Sequence, residues 1–469
     1  MTSRLTQLVQ ENLEKVLQER VNLDSSLVAN LTNKLTLDTS LEANDPAPLK
    51  LVPLLLQCLR TPMNIDYDVV LGLLQAILER RPFEEIIQLI TEKDLLEALD
   101  SGNSHLQRLC LSQLKRSSVD LLAESELIIA MLRLYGDSDT DSAIVSELAK
   151  TIIGLGEAGD LTRKRLFTDS SSLEILRGLH DGTGTQQGRL MALIEGLLSY
   201  DTSLYIPIDL IQFPPHSISN DSDVLLVMNK IQMYKQLLLA PHPPSLIEII
   251  SEQVKSICDL FKQRENNEDV KMFLLNEIIN FFGALSRAYP AAFSDADKYI
   301  DLASSGLLTN YTNSHCLSML ATLDPNYLAR AHEDIIKNIP FRAGTLVSFR
   351  NLYKSRQAYE LTRPSSDQIL ALPYLEQMFI LVALTSTAWG TADLVHRWPR
   401  VMESLLSHEG VRDKDTSSFR REAIENLLLN PSEVLTIWFD RLRQAYSEII
   451  HGVPKLNDPE VLIADESQQ

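Results

Sequence analysis

The stretch ELIIAMLRLYGDSDTDSAIVSELAKTIIGLG, residues Glu126 to Gly156, decides the fold. It begins with a leucine-rich helical run, continues through a polar turn of Gly, Asp and Ser, and ends in a second amphipathic run. In the second run, Ile144, Leu148 and Ile152 recur on one side of a helix. Because the apolar residues of each helix span too wide an arc to be buried by one partner, such pairs must stack on neighbouring pairs.

The same scheme of helix, polar turn and helix recurs along the chain. It is repeated in Asp94–Ser118, Leu173–Ser199, Ile257–Ser286 and Val401–Leu429. The spacing is irregular, on the order of the 40–47 residues of HEAT and armadillo repeats. With no convincing alternating strand pattern, the sequence predicts an all-α chain, an α-solenoid of HEAT/armadillo-like helix pairs. The alternative is an ordinary helical protein without repeats.

Proline-rich stretches suggest the organisation of the 469-residue chain. YIPIDLIQFPPHSISNDSD and APHPPS both fall within residues 205–245, and proline stops a helix by removing a backbone donor. We therefore expect N-terminal HEAT-like repeats over 1–204 and a Pro-rich irregular connection within the solenoid over 205–245. C-terminal HEAT-like repeats are expected over 246–455, and an acidic mobile tail over 456–469.

The charge balance bears on the class of partner. Acidic residues number 63 against 43 basic ones, which gives a net charge of -20. This field repels nucleic acid, so direct nucleic-acid binding is disfavoured; the acidity favours solubility or a basic protein partner. The stretch FRAGTLVSFRNLYKSRQAYELTR, residues 341–363, keeps the alternative open because single-strand binding uses such interleaved arginines and aromatics. Aromatics at helical spacing are more often core.

Cysteine usage and the N-terminal segment bear on the compartment. Cys58, Cys110, Cys258 and Cys316 are scattered without a CxxC pair, which favours buried thiols in a reducing compartment. The start MTSRLTQLVQENLEKVLQER has the pattern of neither a signal peptide nor an acid-poor transit sequence. The longest largely apolar run, LVPLLLQCL, is far short of the ~20 residues that span a bilayer. We expect a soluble, cytoplasmic or nuclear protein that does not bind membranes.

The sequence contains only weak motifs for catalysis, nucleotide binding or metal binding. GLGEAG, Gly154 to Gly159, matches the dinucleotide fingerprint GxGxxG but follows a helix rather than a strand, so we expect these glycines to end that helix. The histidines are scattered and form no metal constellation with cysteines. The sequence thus predicts a non-enzyme with no catalytic residues, no metal site and no cofactor. A nucleotide-binding enzyme that uses Gly154 to Gly159 is the least favoured alternative.

What remains is a surface for binding protein. In stacked helix pairs the second helices line one face, and their polar sides form a continuous wall. The residues that we predict to contact a partner on this wall are Arg108, Ser112, Lys115, Ser146, Glu147, Lys150, Glu195, Ser199, Asn276 and Asn280. For any single one of them, plain solvation is the competing explanation.

Several packing segments carry a family resemblance. They are ALPYLEQM (Ala371–Met378), DPNYLARAHEDIIKN (Asp324–Asn338), SFRNL (Ser348–Leu352), VMESLL (Val401–Leu406), FRREAIENLL (Phe419–Leu428) and LTIWFDRLRQAYSEIIHG (Leu435–Gly452). Together, and in this order, they resemble a fungal family of proteasome regulatory-particle base assembly chaperones. That family is also described as a DNA mismatch repair protein, and its animal counterpart is the proteasome non-ATPase regulatory subunit 5. In ALPYLEQM itself, Leu375 and Met378 lie on the stripe of a helix packed on one side, so this segment is expected to be scaffold.

The resemblance implies a curved, C-shaped HEAT-like solenoid. Its concave surface would bind the C-terminal domain of one proteasomal AAA ATPase subunit during assembly of the base, and other base subunits are further candidate partners. The alternative function that the resemblance implies is DNA mismatch repair or the DNA damage response, acting directly or through the proteasome. The resemblance marks no contact residues.

Overall fold

The computed structural model describes residues 2–37, 46–198, 206–219, 223–241, 245–407 and 413–451. None of these residues forms a strand, and helices dominate. The chain divides into two compact units, Met1–Gln253 and Val254–Gln469. The predicted tail, 456–469, lies outside the described residues.

Unit 1 contains the first fifteen α-helices and the start of the sixteenth. They are α1 Thr2–Glu19, α2 Ser25–Leu37, α3 Val52–Arg60, α4 Tyr67–Leu78, α5 Phe83–Ile86, α6 Glu92–Leu99, α7 Ser104–Leu114, α8 Leu127–Gly136, α9 Ser142–Ala158, α10 Asp160–Thr168, α11 Ser170–His180, α12 Gly184–Leu197, α13 His216–Ser219, α14 Val224–Leu239, α15 Leu246–Ile249 and α16 Ser251–Gln263. Short 3₁₀ turns occur at Pro48–Leu51 and Ile208–Leu210. Helix α16 crosses into unit 2.

Unit 2 contains the remaining helices. They are α17 Leu275–Ala288, α18 Pro290–Ile300, α19 Ser314–Thr322, α20 Pro325–Ala331, α21 Glu333–Lys337, α22 Leu346–Leu352, α23 Arg356–Thr362, α24 Ser366–Leu370, α25 Tyr374–Thr385, α26 Ala388–His396, α27 Pro399–Leu406, α28 Lys414–Leu428, α29 Ser432–Leu435 and α30 Phe439–His451. A π-helical turn, Val270–Leu274, precedes α17, and 3₁₀ turns occur at Ala343–Thr345 and Thr436–Trp438.

The stretch that decides the fold forms α8 and α9, as predicted. Helix α8 ends at Gly136, and Asp141 caps α9 by accepting a hydrogen bond from the backbone N–H of Ala143 at 2.9 Å. Ile144, Leu148 and Ile152 are fully buried. The two helices pack on each other, on α11 and on α12, so the pair is buried by its neighbours as the stacking argument requires.

In unit 1 the helices stack in two rows. The first row packs α1 on α3, α6 on α8, and α8 on α11. The second row runs without interruption through α2, α4, α7, α9, α12 and α14, each packed on the next. Helix α10 is an extra element between α9 and α11. This nearest-neighbour stacking of helix pairs is that of an α-solenoid.

Unit 2 repeats the arrangement. Its second row runs through α17, α19, α22, α25 and α28, each packed on the next. The shorter helices on the other side pair α20 with α23, α24 with α27, α26 with α29, and α27 with α30. The prediction of an all-α solenoid is therefore confirmed.

Within 205–245, which we expected to be irregular, the structure differs from the prediction. Val224–Leu239 forms α14, a helix of 16 residues that completes the second row of unit 1. Prolines flank this helix rather than interrupt it, and Asp223 caps it by accepting a hydrogen bond from Leu226 N at 3.1 Å. The buried hydroxyl of Tyr234 donates to Ile211 O at 2.9 Å, which connects the proline-containing segment 206–219 to α14.

The glycines of GLGEAG also differ from the prediction. Gly154 and Gly156 lie inside α9, and only Gly159 ends it. A Cβ atom on Gly156 would stand 2.5 Å from Cδ2 of Leu197, so this glycine permits the close approach of α9 and α12. The motif therefore serves helix packing, and it has no strand before it.

ALPYLEQM starts α25. The hydroxyl of Tyr374 donates to Ser404 O at 3.3 Å, and Gln377 Nε2 donates to Leu372 O at 2.8 Å, which are scaffold contacts. Met378 is buried as predicted, whereas Leu375 is 39% exposed. Leu375 lies in the first turn of α25, two residues after the N-cap Pro373.

The four cysteines are free and buried, in agreement with the sequence. Burial raises the pKa of the Cys110 thiol to about 12, so this group remains a thiol. Among the described helices, none alone is long and apolar enough to cross a membrane; α25 and α26 meet that test only as a pair bent by 118°.

Candidate partner-binding surface

The structure places nine of the ten predicted contact residues on second-row helices or at their ends. Arg108 and Ser112 lie on α7, and Lys115 is its C-cap. Helix α9 carries Ser146, Glu147 and Lys150, α12 carries Glu195, and α17 carries Asn276 and Asn280. Ser199 lies outside the described residues.

Four of these residues line one groove. Helices α4, α7 and α9 enclose a volume of about 900 Å³, and Arg108, Ser112, Lys115 and Glu147 border it. Ser146 and Lys150 are exposed on α9 but do not line the groove. Three successive helices of the second row thus border one open cavity, which we call the α4–α7–α9 groove.

Helix α4 contributes residues that the sequence reasoning missed. Asp68, Gly72 and Gln75 line the α4–α7–α9 groove at steps of four and three residues, the spacing of one helical face. A Cβ atom at Gly72 would have no heavy atom within 4 Å, so the groove reaches the backbone of α4 there. The signal available in the sequence was a glycine inside a strongly apolar helix, YDVVLGLLQAIL.

The orientation of α7 is fixed by its N-cap and by a contact with α6. Asn103 caps α7 by accepting a hydrogen bond from His105 N at 3.0 Å. The buried Gln107 donates from Nε2 to Leu99 O at 2.8 Å and so ties α7 to the end of α6. Arg108 and Lys115 are seven residues apart, two helical turns, and therefore lie on the same side, facing the groove.

Charges of both signs meet in the groove. Lys150 donates a 2.8 Å hydrogen bond to Glu147, and this bond is the main cause of the lowered pKa of the Glu147 carboxyl. The positive charges of Lys150, and of Lys115 and Arg108 on the neighbouring helix, lower that pKa further. Within the described parts of the chain, neither Arg108 nor Lys115 forms a salt bridge. Two cations with unused hydrogen-bonding capacity therefore border the groove.

Glu195 has a different environment. Gln232 of α14 donates a hydrogen bond to its Oε2 at 3.4 Å, so Glu195 links α12 to α14. Burial raises the pKa of the Glu195 carboxyl, while the Gln232 hydrogen bond and the charge of Lys235 act in the opposite direction. On α17, in unit 2, Asn276 is exposed and Asn280 is half-buried.

Comparison with known proteins gives the family. Two family models match the chain: "DNA mismatch repair protein HSM3, N terminal domain" over residues 7–239, and the corresponding C terminal domain over residues 245–468. The chain belongs to the HSM3 family. The family membership agrees with the resemblance found in the sequence.

HSM3 relatives align over most of their length. The "DNA mismatch repair protein HSM3" of Kluyveromyces lactis is 28% identical over 442 residues, which cover 91% of this chain and 92% of the relative. The protein of the same name from Saccharomyces cerevisiae is 24% identical over 482 residues, 98% of this chain and 97% of the relative. A crystal structure of an engineered protein aligns with 89% of this chain and 98% of its own at 16% identity, with a TM-score of 0.39 that supports no inference.

HSM3 relatives are named for DNA repair, so the basic stretches of this chain were examined as possible contacts for nucleic acid. In 341–363, the rings of Phe349, Tyr353 and Tyr359 are buried and contact one another edge-on or tilted at centroid distances of 5.8 and 5.2 Å. Arg363 forms a 3.1 Å ion pair with Asp393, and Arg356 a 3.0 Å pair with Glu360. These three aromatic rings are core, so they cannot stack on nucleic-acid bases.

The cluster TRKRLF, a second basic stretch of this HSM3-family chain, lies in α10. Arg163 donates to Gly156 O at 2.8 Å, and Arg165 donates to Ala123 O at 2.6 Å and to Ser125 O at 2.8 Å. Both guanidinium groups thus donate to backbone carbonyls, Arg163 near the end of α9 and Arg165 in the turn before α8. Lys164 alone in this cluster is an exposed cation.

Proposed function

We propose that this HSM3-family chain is a non-enzymatic chaperone for assembly of the base of the proteasome regulatory particle. It holds the C-terminal domain of one proteasomal AAA ATPase subunit on its second-row helices, and other base subunits are further candidate partners. The choice of client rests on the family resemblance in the sequence. The observation that supports protein binding is the open α4–α7–α9 groove, about 900 Å³ and bordered by charges of both signs.

The groove suits a folded protein surface better than a small molecule. It is open and spans three helices, and its walls carry Asp68, Arg108, Lys115 and Glu147. Charged side chains spread over such an area fix the orientation of a partner and reject wrong partners more than they add affinity. A chaperone that must release its client needs selective recognition of this kind.

The chemistry of the groove indicates what the client surface carries. Arg108 and Lys115 call for carboxylates, and Arg108 can bind one with two parallel hydrogen bonds. Glu147, whose pKa is lowered, stays ionised at neutral pH and calls for a basic group. The open space above Gly72 admits a bulky side chain against the backbone of α4.

Selectivity among the ATPases is the first test. The isolated C-terminal domain of each proteasomal ATPase is immobilised, and retention of the full chain is measured. We expect one domain to retain the chain far more strongly than the others. Equal retention by all of them, or by none, contradicts the proposal.

A second candidate function is direct action in DNA mismatch repair, which the names of the relatives favour. It requires affinity for DNA that falls steeply with salt. Retention on immobilised duplex, mismatched duplex and single-stranded DNA at low salt tests it. Lack of retention removes direct binding and leaves a repair role that acts through the proteasome.

A further inference from the structure

Unit 2 carries a cluster of three cations on its second row. Arg287 lies in the last turn of α17, Arg350 in the last turn of α22, and Lys354 two residues beyond α22. Arg287 and Lys354 are exposed, and Arg350 is half-buried. Arg350 and Lys354 are four positions apart at the end of α22, and α19 packs on both α17 and α22. Burial lowers the pKa of the Lys354 ammonium, and the charges of Arg287 and Arg350 lower it further.

These cations lack salt bridges with any acidic residue in the described parts of the chain. Two acids on helices that pack on α22 have other partners. Asp324 accepts a hydrogen bond from Asn326 N at 3.2 Å as the cap of α20, and Glu360 pairs with Arg356. In a chain with 20 more acidic than basic residues, an uncompensated positive cluster is unexpected.

An apolar bed adjoins the cluster. The guanidinium carbon of Arg350 lies 4.7 Å from the centroid of the Phe379 ring, and Phe379 meets Phe419 edge-on at 5.5 Å. Val347 is one turn before Arg350 on α22, Leu375 is one turn before Phe379 on α25, and these helices pack on each other. Val347 is 50% and Leu375 is 39% exposed, so apolar side chains and cations share one surface.

We propose that this surface, formed by Arg287, Val347, Arg350, Lys354, Leu375 and Phe379, is a docking site for a short acidic segment of a protein partner. The segment places carboxylates on the cations and an aliphatic or aromatic side chain on the apolar bed. None of these residues lines the α4–α7–α9 groove of unit 1, so the proposal goes beyond the proposed binding of an ATPase domain.

Charge complementarity favours a peptide over nucleic acid. Three cations neutralise about three phosphates, which gives nucleic acid little affinity at physiological salt. The net charge of -20 repels a long polyanion, whereas a short segment with a few carboxylates experiences mainly the local cluster. Phe349 and Tyr353, the nearest aromatics in sequence, are buried and cannot stack on bases.

The test uses a fluorescein-labelled twelve-residue peptide, three repeats of Glu-Leu-Glu-Glu, titrated with the full chain and followed by anisotropy. The triple substitution Arg287→Gln, Arg350→Gln, Lys354→Gln is expected to weaken binding at least tenfold. Arg356→Gln, which removes an exposed cation already paired with Glu360, is the matched control and should change binding less than twofold. Replacing each Glu of the peptide by Gln should abolish binding.

Because the triple substitution could lower stability, Val347→Glu provides a second route. It adds a negative charge at a half-exposed position without removing a buried contact, and it should also weaken peptide binding at least tenfold. Unchanged binding to either variant, equal binding of the Gln peptide, or tighter binding of a twelve-nucleotide oligothymidine overturns the proposal.

The experiment is independent of the proposed chaperone function. Arg108→Glu with Lys115→Glu alters the groove of unit 1 and should leave peptide binding unchanged. If this variant abolishes peptide binding while the unit 2 variants retain it, the acidic segment binds the groove and the unit 2 site is wrong. Retention of the chain on the ATPase domains is measured on the same variants and reports on the chaperone function separately.

Discussion

Tyr135 of α8 and Arg189 of α12 exchange hydrogen bonds with each other's backbone. The Tyr135 hydroxyl donates to Arg189 O at 2.8 Å, and Arg189 Nη1 donates to Tyr135 O at 2.8 Å. The two residues are 54 positions apart in sequence and belong to successive helix pairs. This reciprocal contact holds one pair against the next, which is the interaction on which a stacked solenoid depends.

We expect Tyr135→Phe to lower the free energy of unfolding by about 1 kcal/mol, because one hydrogen bond is lost and a carbonyl loses its donor. The ring stays in place, so packing is preserved. Urea denaturation followed by circular dichroism measures the change. A loss below 0.3 kcal/mol, relative to ~1 expected from such bonds, shows that the contact does not stabilise the stack.

Two helix-interior glycines should respond to alanine in opposite ways. Gly154 has no heavy atom within 4 Å of a Cβ position, so Gly154→Ala should stabilise α9 by about 0.5–1 kcal/mol. At Gly283 the added Cβ would lie 2.7 Å from the backbone oxygen of Thr322, so Gly283→Ala should destabilise by about 1–3 kcal/mol. Thermal unfolding of both variants measures the difference, and shifts of the same sign contradict the packing of α17 on α19.

Acid should destabilise unit 2 through Asp297. Although burial raises its pKa, hydrogen bonds from His332 at 2.7 Å and from Tyr327 at 2.5 Å hold the pKa of this carboxyl below its ordinary value. A carboxyl with a depressed folded pKa contributes stability above its unfolded pKa, near 3.9, and loses it as the pH falls through the folded value.

Asp297→Asn should therefore cost about 1.5–3 kcal/mol at pH 7, and the difference from the parent chain should shrink below about pH 4. Urea denaturation at pH 7, 5 and 3.5 measures the effect. A difference that stays constant across these values would show that ionised Asp297 does not stabilise the fold.

Charge reversal separates a binding residue from a packing residue. Glu147 borders the groove and is partly exposed, so Glu147→Lys should weaken binding of the client domain about tenfold and leave the unfolding midpoint unchanged. Glu195 contacts α14, so Glu195→Lys should lower the unfolding midpoint as well. Affinity and thermal unfolding are measured on both variants; equal loss of stability contradicts the distinction.

The helix pairs were predictable from the sequence because a polar turn between two apolar stripes is a local signal. The face that carries Arg108, Lys115 and Glu147 was predictable for the same reason, since helical spacing fixes which side chains are exposed. The contribution of Gly72 was not, because it depends on which helices become neighbours. Helix α14 was missed because the prolines on either side of it were interpreted as a sign that the whole segment is irregular. In the structure these prolines lie outside the two ends of the helix.

The partners of the arginines in the basic stretches could not be predicted from the sequence either. Nothing local distinguishes Arg165, which binds the carbonyls of Ala123 and Ser125, from Arg350, which lies over Phe379. Only long-range packing decides whether a guanidinium is used internally or is left for a partner.

The most direct measurement is calorimetric titration of the full chain with the C-terminal domain of the ATPase selected by retention. We expect one-to-one binding that Arg108→Glu with Lys115→Glu weakens at least tenfold. Lys164→Glu, which reverses an exposed cation on α10 outside the groove, should leave that affinity unchanged. Undiminished affinity of the double variant, or no heat with any of the ATPase domains, contradicts the account.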